Sequence, residues 1–158
     1  MFRELSRKNK KISDNECFEL LSNEKRGVLS VNGDNGYPYS MPMNFYYNND
    51  DGCIYFHCGK SGHRLDSLKK SDKVCFCVYE KGYCNDGEWA YNVRSVIIFG
   101  RTEIIDDIKE IEKITYKLSK KFTDDDVYIK KEIEKYGKAT LLLRLSPIHI
   151  CGKKVIES

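Results

Sequence analysis

No stretch of this 158-residue chain approaches the ~20 consecutive apolar residues of a membrane-crossing helix. Met1 to Leu5 also lack the apolar core of a secretory signal, so a cytoplasmic protein with no membrane partner is expected. There is no CxxC pair among the seven cysteines at 17, 53, 58, 75, 77, 84 and 151. Zinc ribbons need two such tight pairs, and disulfide frameworks use even counts in an oxidising compartment. No metal site is expected, and the cysteines read as small buried hydrophobes. No GxGxxG follows a strand, and there is neither a GxSxG elbow nor an HExxH pair. These absences exclude the dinucleotide fingerprint, the hydrolase nucleophile and the zinc peptidase. The only histidines are His57, His63 and His149. A chain so poor in acid–base groups is expected to leave its chemistry to a bound cofactor.

What is present is the composition of a globular domain. Hydrophobic residues make up 41% and charged residues 32%, which is wrong for a disordered chain and enough to build one core. The net charge of +3 is concentrated at the start, where residues 1–11 hold five cations and one acid. A nucleic-acid binder carries its basic stripe across the fold, so nucleic acid is rejected as a partner. Residues 1–11 read as a basic, solvated leader and 12–158 as a single domain.

Ser13 and Glu16 form a capping box opening a helix with Cys17, Leu20 and Leu21 on one side. Gly27–Val31, Tyr37–Tyr47 and Cys53–His57 read as strands joined by the turn-forming runs Asn32–Gly36 and Asn48–Gly52, a β-meander. Ser61–Leu68 reads as a short helix and Val74–Tyr79 as a buried strand. After a loop over 81–90, Tyr91–Ile105 is a long strand with a bulge or bend at Gly100. Ile108, Ile111, Thr115, Leu118 and Phe122 recur at helical spacing. A second helical piece begins at Asp124–Asp126 and ends near Gly137, and Thr140–Ile150 closes the fold. The expectation is an α+β protein, an antiparallel split β-barrel of about six strands with peripheral helices.

Gly59-Lys60-Ser61 has the ending of a phosphate-binding loop, but that loop needs a glycine at position 54, where Ile54 sits in a strand. A different anion site remains. Gly59 to Arg64 lies between a strand end and a first helical turn, where free amides and the helix dipole favour an anion. Lys60, His63 and Arg64 add cationic donors, and the bland alternative is an exposed basic turn. With flanking aromatics such as Tyr37, Tyr39, Tyr55 and Phe56, an anion site at the end of a barrel groove suits a phosphorylated planar cofactor.

Gly36-Tyr37-Pro38 with Pro42, then Tyr55-Phe56-His57 with Gly62-His63-Arg64, then Ser95-Val96 with Gly100 occur in that order. Together they resemble the pyridoxamine-phosphate-oxidase-like FMN-binding split-barrel flavoproteins, and most closely their 5-nitroimidazole-resistance branch, over roughly residues 12–152. The resemblance implies a homodimer with FMN in two clefts at the subunit interface. In it Met41, Pro42, Met43 and Asn44 face the flavin ring, largely through backbone groups. Phe56, His57, Lys60, His63 and Arg64 hold ribityl and phosphate, and Ser95 and Val96 approach from the partner subunit. The implied activity is a flavin-dependent oxidoreductase passing electrons or hydride to a small-molecule acceptor, a nitro compound for example, with His57 as the candidate catalytic group. The alternatives are a pyridoxamine-phosphate-oxidase-like enzyme proper, or a non-catalytic flavin or haem carrier with His57 or His63 as an axial ligand. Two positions depart from the pattern: Arg64 stands for the commoner lysine and Arg94 for the commoner glutamate.

Overall fold

In the computed structural model, which describes residues 1–157, the capping box forms as its spacing dictates. Ser13 Oγ accepts from the Glu16 amide at 3.3 Å, and the Glu16 carboxylate accepts from the Ser13 amide at 2.8 Å. It opens helix α1, Asp14–Asn23, which buries Cys17, Leu20 and Leu21. Strand β1 is Arg26–Asn32 and β2 is Pro38–Asn44. The turn between them uses positive φ at Asn35 (56°) and Gly36 (78°), conformations that asparagine and glycine tolerate best. Strands β3, Tyr46–Asn48, and β4, Cys53–Gly59, follow, then α2, His63–Lys70, and β5, Lys73–Tyr79. Strand β6 is Tyr91–Ile105, helices α3 and α4 are Ile108–Lys120 and Asp126–Tyr136, and β7 is Thr140–Glu157.

All seven strands join one antiparallel sheet in the order β2-β1-β5-β6-β7-β4-β3, curled into a split barrel. The α+β architecture is the expected one, with three differences. The expected strand Tyr37–Tyr47 is two, because Phe45 leaves the ladder. Its amide bonds the Lys25 carbonyl, and its ring is fully buried edge-on against Phe76 at 5.1 Å. Nor is there a meander. The β1–β2 and β3–β4 hairpins sit at opposite ends of the sheet order, since β4 pairs with β7. Lastly, β7 runs past Ile150 to Glu157, because β6 offers it a partner back to Tyr91. The β6–β7 register shifts between Phe99 and Gly100, where a side chain on residue 100 would collide with the Ser146 carbonyl oxygen.

The barrel interior is packed around Phe45, Phe56 and Phe76, with Leu29, Val96, Ile98, Leu143 and Leu145. A smaller cluster of Tyr55, Ile105, Ile111, Ile114 and Leu142 seats α3 on the outside of the barrel. In the N-terminal segment, Lys11 bridges to Lys153, and the Phe2 ring lies flat over Phe99 and His149 at 5.2 and 4.9 Å. Among the described residues no helix is long and apolar enough to cross a membrane.

Candidate functional site

Because β2 ends the sheet, it has a ladder partner on one side only, leaving its other edge of amides and carbonyls free. Pro42, which has no amide to give, is tolerated at such an edge. The curl of the sheet brings β2 near β4, and a cleft of about 330 Å³ remains there, lined by Arg26, Pro42, Met43, Asn44, His57 and Arg64. Five of these six were expected from the sequence. Strand alternation turns Met41 and Met43 into the core, while Pro42 is exposed and Asn44 half-buried.

Helix α2 contributes Arg64 to the cleft from its first turn. Its N-cap is Gly62, at φ 119°, which offers no side-chain oxygen to the first amides. The amides of the opening turn are thus without an intrahelical partner. Gly59, at the end of β4, has open space where a side chain would lie. Arg64, in the first helical turn, is half-buried and reaches back to β2. Its terminal nitrogen lies 2.8 Å from the thioether sulfur of Met43, and its Nε is buried with no hydrogen-bond partner. A thioether is a weak acceptor, and an unmet buried guanidinium nitrogen is costly. This side chain is arranged for an anion.

His57 opens onto the cleft from β4. Desolvation by the cleft walls, and then the nearby Arg64 charge, hold its pKa below the ordinary histidine value, so the ring is neutral at pH 7. Burial pushes the neighbouring Cys58 thiol up, while Arg64 pulls it down. His63 is otherwise engaged. It stacks on Tyr39 at 4.2 Å, and its Nε2 lies 3.3 Å from the Asp34 carboxylate. Lys60 is exposed beside it.

The remaining candidates lie apart. The Phe56 and Val96 side chains are wholly inside the core, so any contact they make with a ligand is through the backbone. Ser95 is half-buried on another face. It lines a hollow of about 320 Å³ with Phe2, Ile97, Phe99, His149 and Cys151. Arg94 is held by Glu80 at 3.0 Å and Glu19 at 3.3 Å, and the Glu80 bond above all raises its pKa. The cleft residue that sequence reasoning missed is Arg26. The available signal was hairpin register, which sets Arg26 opposite Asn44, and its Nε donates to Asn44 Oδ1 at 3.0 Å. Among the described residues no group of His, Cys, Asp and Glu is placed to hold a metal. The lining carries no carboxylate, and Arg64 with the uncapped helix start fits a phosphate-bearing ligand.

The fold is found in solved structures at low sequence identity. A Bacteroides thetaiotaomicron protein named for 5-nitroimidazole antibiotic resistance is 20% identical, with a TM-score of 0.72, covering 90% of this chain and 84% of its own. A conserved hypothetical protein of Mycobacterium tuberculosis is 15% identical, with a TM-score of 0.79, covering 95% and 89%. An FAD-binding protein of Mesorhizobium loti is 19% identical, with a TM-score of 0.66, covering 92% and 97%. No curated protein sequence matches the chain. The sequence model for pyridoxamine 5'-phosphate oxidase matches residues 13–154, nearly the whole domain, and on that match the chain belongs to the pyridoxamine 5'-phosphate oxidase family.

Proposed function

We propose that the cleft binds FMN, and that the protein is a cytoplasmic flavin-dependent oxidoreductase acting on a small acceptor such as a nitro compound. The observation that carries this reading is Arg64. Its buried Nε is unpartnered, its terminal nitrogens meet only the sulfurs of Met43 and Cys58, and it stands at a helix start with unbonded amides. A phosphate there answers all three. Membership of the family and the flavin named for the M. loti protein support the same class of ligand.

In this reading Arg64 and the opening amides of α2 hold the phosphate, with Lys60 adding positive potential nearby and His63 bracing the start of α2. The free edge of β2 from Met41 to Asn44 lies along the ring, giving and accepting hydrogen bonds through its backbone. When bound, the flavin supplies reversible transfer of a hydride or of single electrons. His57, neutral at pH 7, offers one N–H donor and one acceptor nitrogen at the ring's edge. The protein works as a homodimer, in which the partner subunit's Ser95 completes the cleft that it cannot reach within its own chain.

The test is flavin binding followed by absorbance and fluorescence. The wild-type protein is expected to take up FMN and show a protein-bound flavin spectrum. Arg64→Ala should weaken FMN about ten- to a hundredfold, the worth of one charge-assisted hydrogen bond. Riboflavin, which lacks the phosphate, should bind both proteins alike. A haem Soret band in place of flavin peaks, or equal losses for FMN and riboflavin, would overturn the assignment.

A further inference from the structure

Five arginines lie beyond the N-terminal leader, and three of them are paired with carboxylates: Arg94 with Glu19 and Glu80, Arg101 with Asp72, and Arg144 with Glu103. The other two are Arg26 and Arg64. Neither has a carboxylate partner among the described residues, and both line the β2–β4 cleft. Unpaired guanidinium groups gathered in one cleft leave a positive potential that an anion would relieve.

The two cations reach the cleft from different sides of one strand. Arg64 touches Met43, whose side chain points into the core, whereas Arg26 is tied to the next residue, Asn44, whose side chain leaves the opposite face. The bond from Arg26 Nε to Asn44 Oδ1 orients the guanidinium without neutralising it, and its terminal N–H donors stay available. A phosphate at the start of α2 satisfies Arg64 from its own side and leaves Arg26 unanswered. His57, neutral and on the same wall, supplies no competing charge.

We propose that Arg26 is the anchor for the carboxylate of a small acidic acceptor that occupies the cleft beside the cofactor. The proposal rests on the flavin reading above and names the substrate class for that site. Asn44 is then a positioning residue, holding the guanidinium fork toward the cleft so that it meets a carboxylate with two parallel hydrogen bonds.

The experiment uses benzoate and its uncharged isostere benzamide, titrated into the FMN-loaded protein and read as a perturbation of the flavin absorbance. Wild type is expected to bind benzoate at least tenfold more tightly than benzamide. Arg26→Gln should weaken benzoate by about tenfold or more and leave benzamide unchanged, with Arg26→Lys between the two. FMN and riboflavin affinities should be the same in Arg26→Gln as in wild type. Equal benzoate binding by wild type and Arg26→Gln overturns the proposal, as does no benzoate preference in wild type. A loss of FMN but not riboflavin in Arg26→Gln also overturns it, because Arg26 is then a contact to the cofactor phosphate. If the wild type takes up no FMN, the flavin reading fails separately. Calorimetric titration of benzoate into the free protein then decides Arg26 alone, by whether the heat seen in wild type is lost in Arg26→Gln.

Discussion

His63 lies flat on Tyr39, ring centres 4.2 Å apart and planes within 20°, with its Nε2 3.3 Å from the Asp34 carboxylate. The stack and the contact with the Asp34 carboxylate tie the start of α2 to the β1–β2 hairpin. They hold the start of α2 against β2 and leave His57 as the histidine that lines the cleft.

His57→Ala is therefore expected to separate chemistry from binding. Turnover with a nitroaromatic acceptor should fall at least tenfold while the flavin content of the purified protein is unchanged. The wild-type rate should fall in acid with an inflection below the ordinary histidine value, as the ring gains a proton beside Arg64. Replacing Arg64 with glutamine removes one of the two causes of that depression and should move the inflection upward. Unchanged kinetics in a flavin-loaded His57→Ala protein would assign His57 to packing.

Dimerisation is the second expected outcome. The outer face of β1, β5 and β6 carries Val28, Cys75, Cys77, Ile97 and Phe99, none of them fully covered within one chain. Multi-angle light scattering at micromolar concentration should give twice the 18.4 kDa of the chain, with an interface above about 2,000 Å². A monomer that nonetheless binds FMN with full affinity would remove Ser95 from the site.

Lys121 supplies a pH test of the fold. Its ammonium lies 4.3 Å above the Phe45 ring and donates to the Glu24 carbonyl, and burial lowers its pKa from 10.5 to about 8. Between those values the unfolded chain binds more protons than the folded one, so this group makes stability rise as pH rises through the window. Cys17, raised from 9.0 to about 11 mainly by burial, works in the opposite sense. The informative quantity is the difference between wild type and Lys121→Met. In urea unfolding that difference should shift in favour of wild type by on the order of 2 kcal/mol from pH 7 to pH 10.5, after allowing for screening of a half-buried amine. A pH-independent difference would show that the amine is solvated.

Gly100 marks the β6–β7 register shift, and its backbone approaches Ser146 too closely for a methyl group. Gly100→Ala should cost roughly 1–3 kcal/mol in urea unfolding. Little or no loss would mean that the ladder can open at this point.

Local features were legible in the sequence where a residue type answers a local physical demand. The Ser13–Glu16 box, the turn at Asn35 and Gly36, the Gly100 irregularity and the helical spacing of Ile111 and Leu118 all act within a few residues. So did most of the cleft, because Pro42 to Asn44, His57 and Arg64 sit on short ordered motifs. What depended on partners distant in sequence was not legible. Nothing local tells β4 to pair with β7 instead of β2, and nothing near Phe45 reveals that Phe76 draws it out of the ladder. Arg26 belongs to the same class. It looks like an ordinary surface arginine until strand register places it against Asn44 and the curl of the sheet closes β4 around both.

Strand β7 follows every other strand in the sequence, yet in the sheet it lies between β6 and β4. While the chain is emerging from a ribosome, the ordered part can be only two fragments, β2-β1-β5-β6 and β4-β3, each with a raw edge. The longer edge is the 15-residue β6. Both edges are sealed in one late insertion that couples distant segments, so folding is expected on the slow, millisecond-to-second scale of non-local β proteins. Until that insertion the nascent chain displays the kind of open strand that recruits other chains, and chaperone demand during synthesis follows from the strand order.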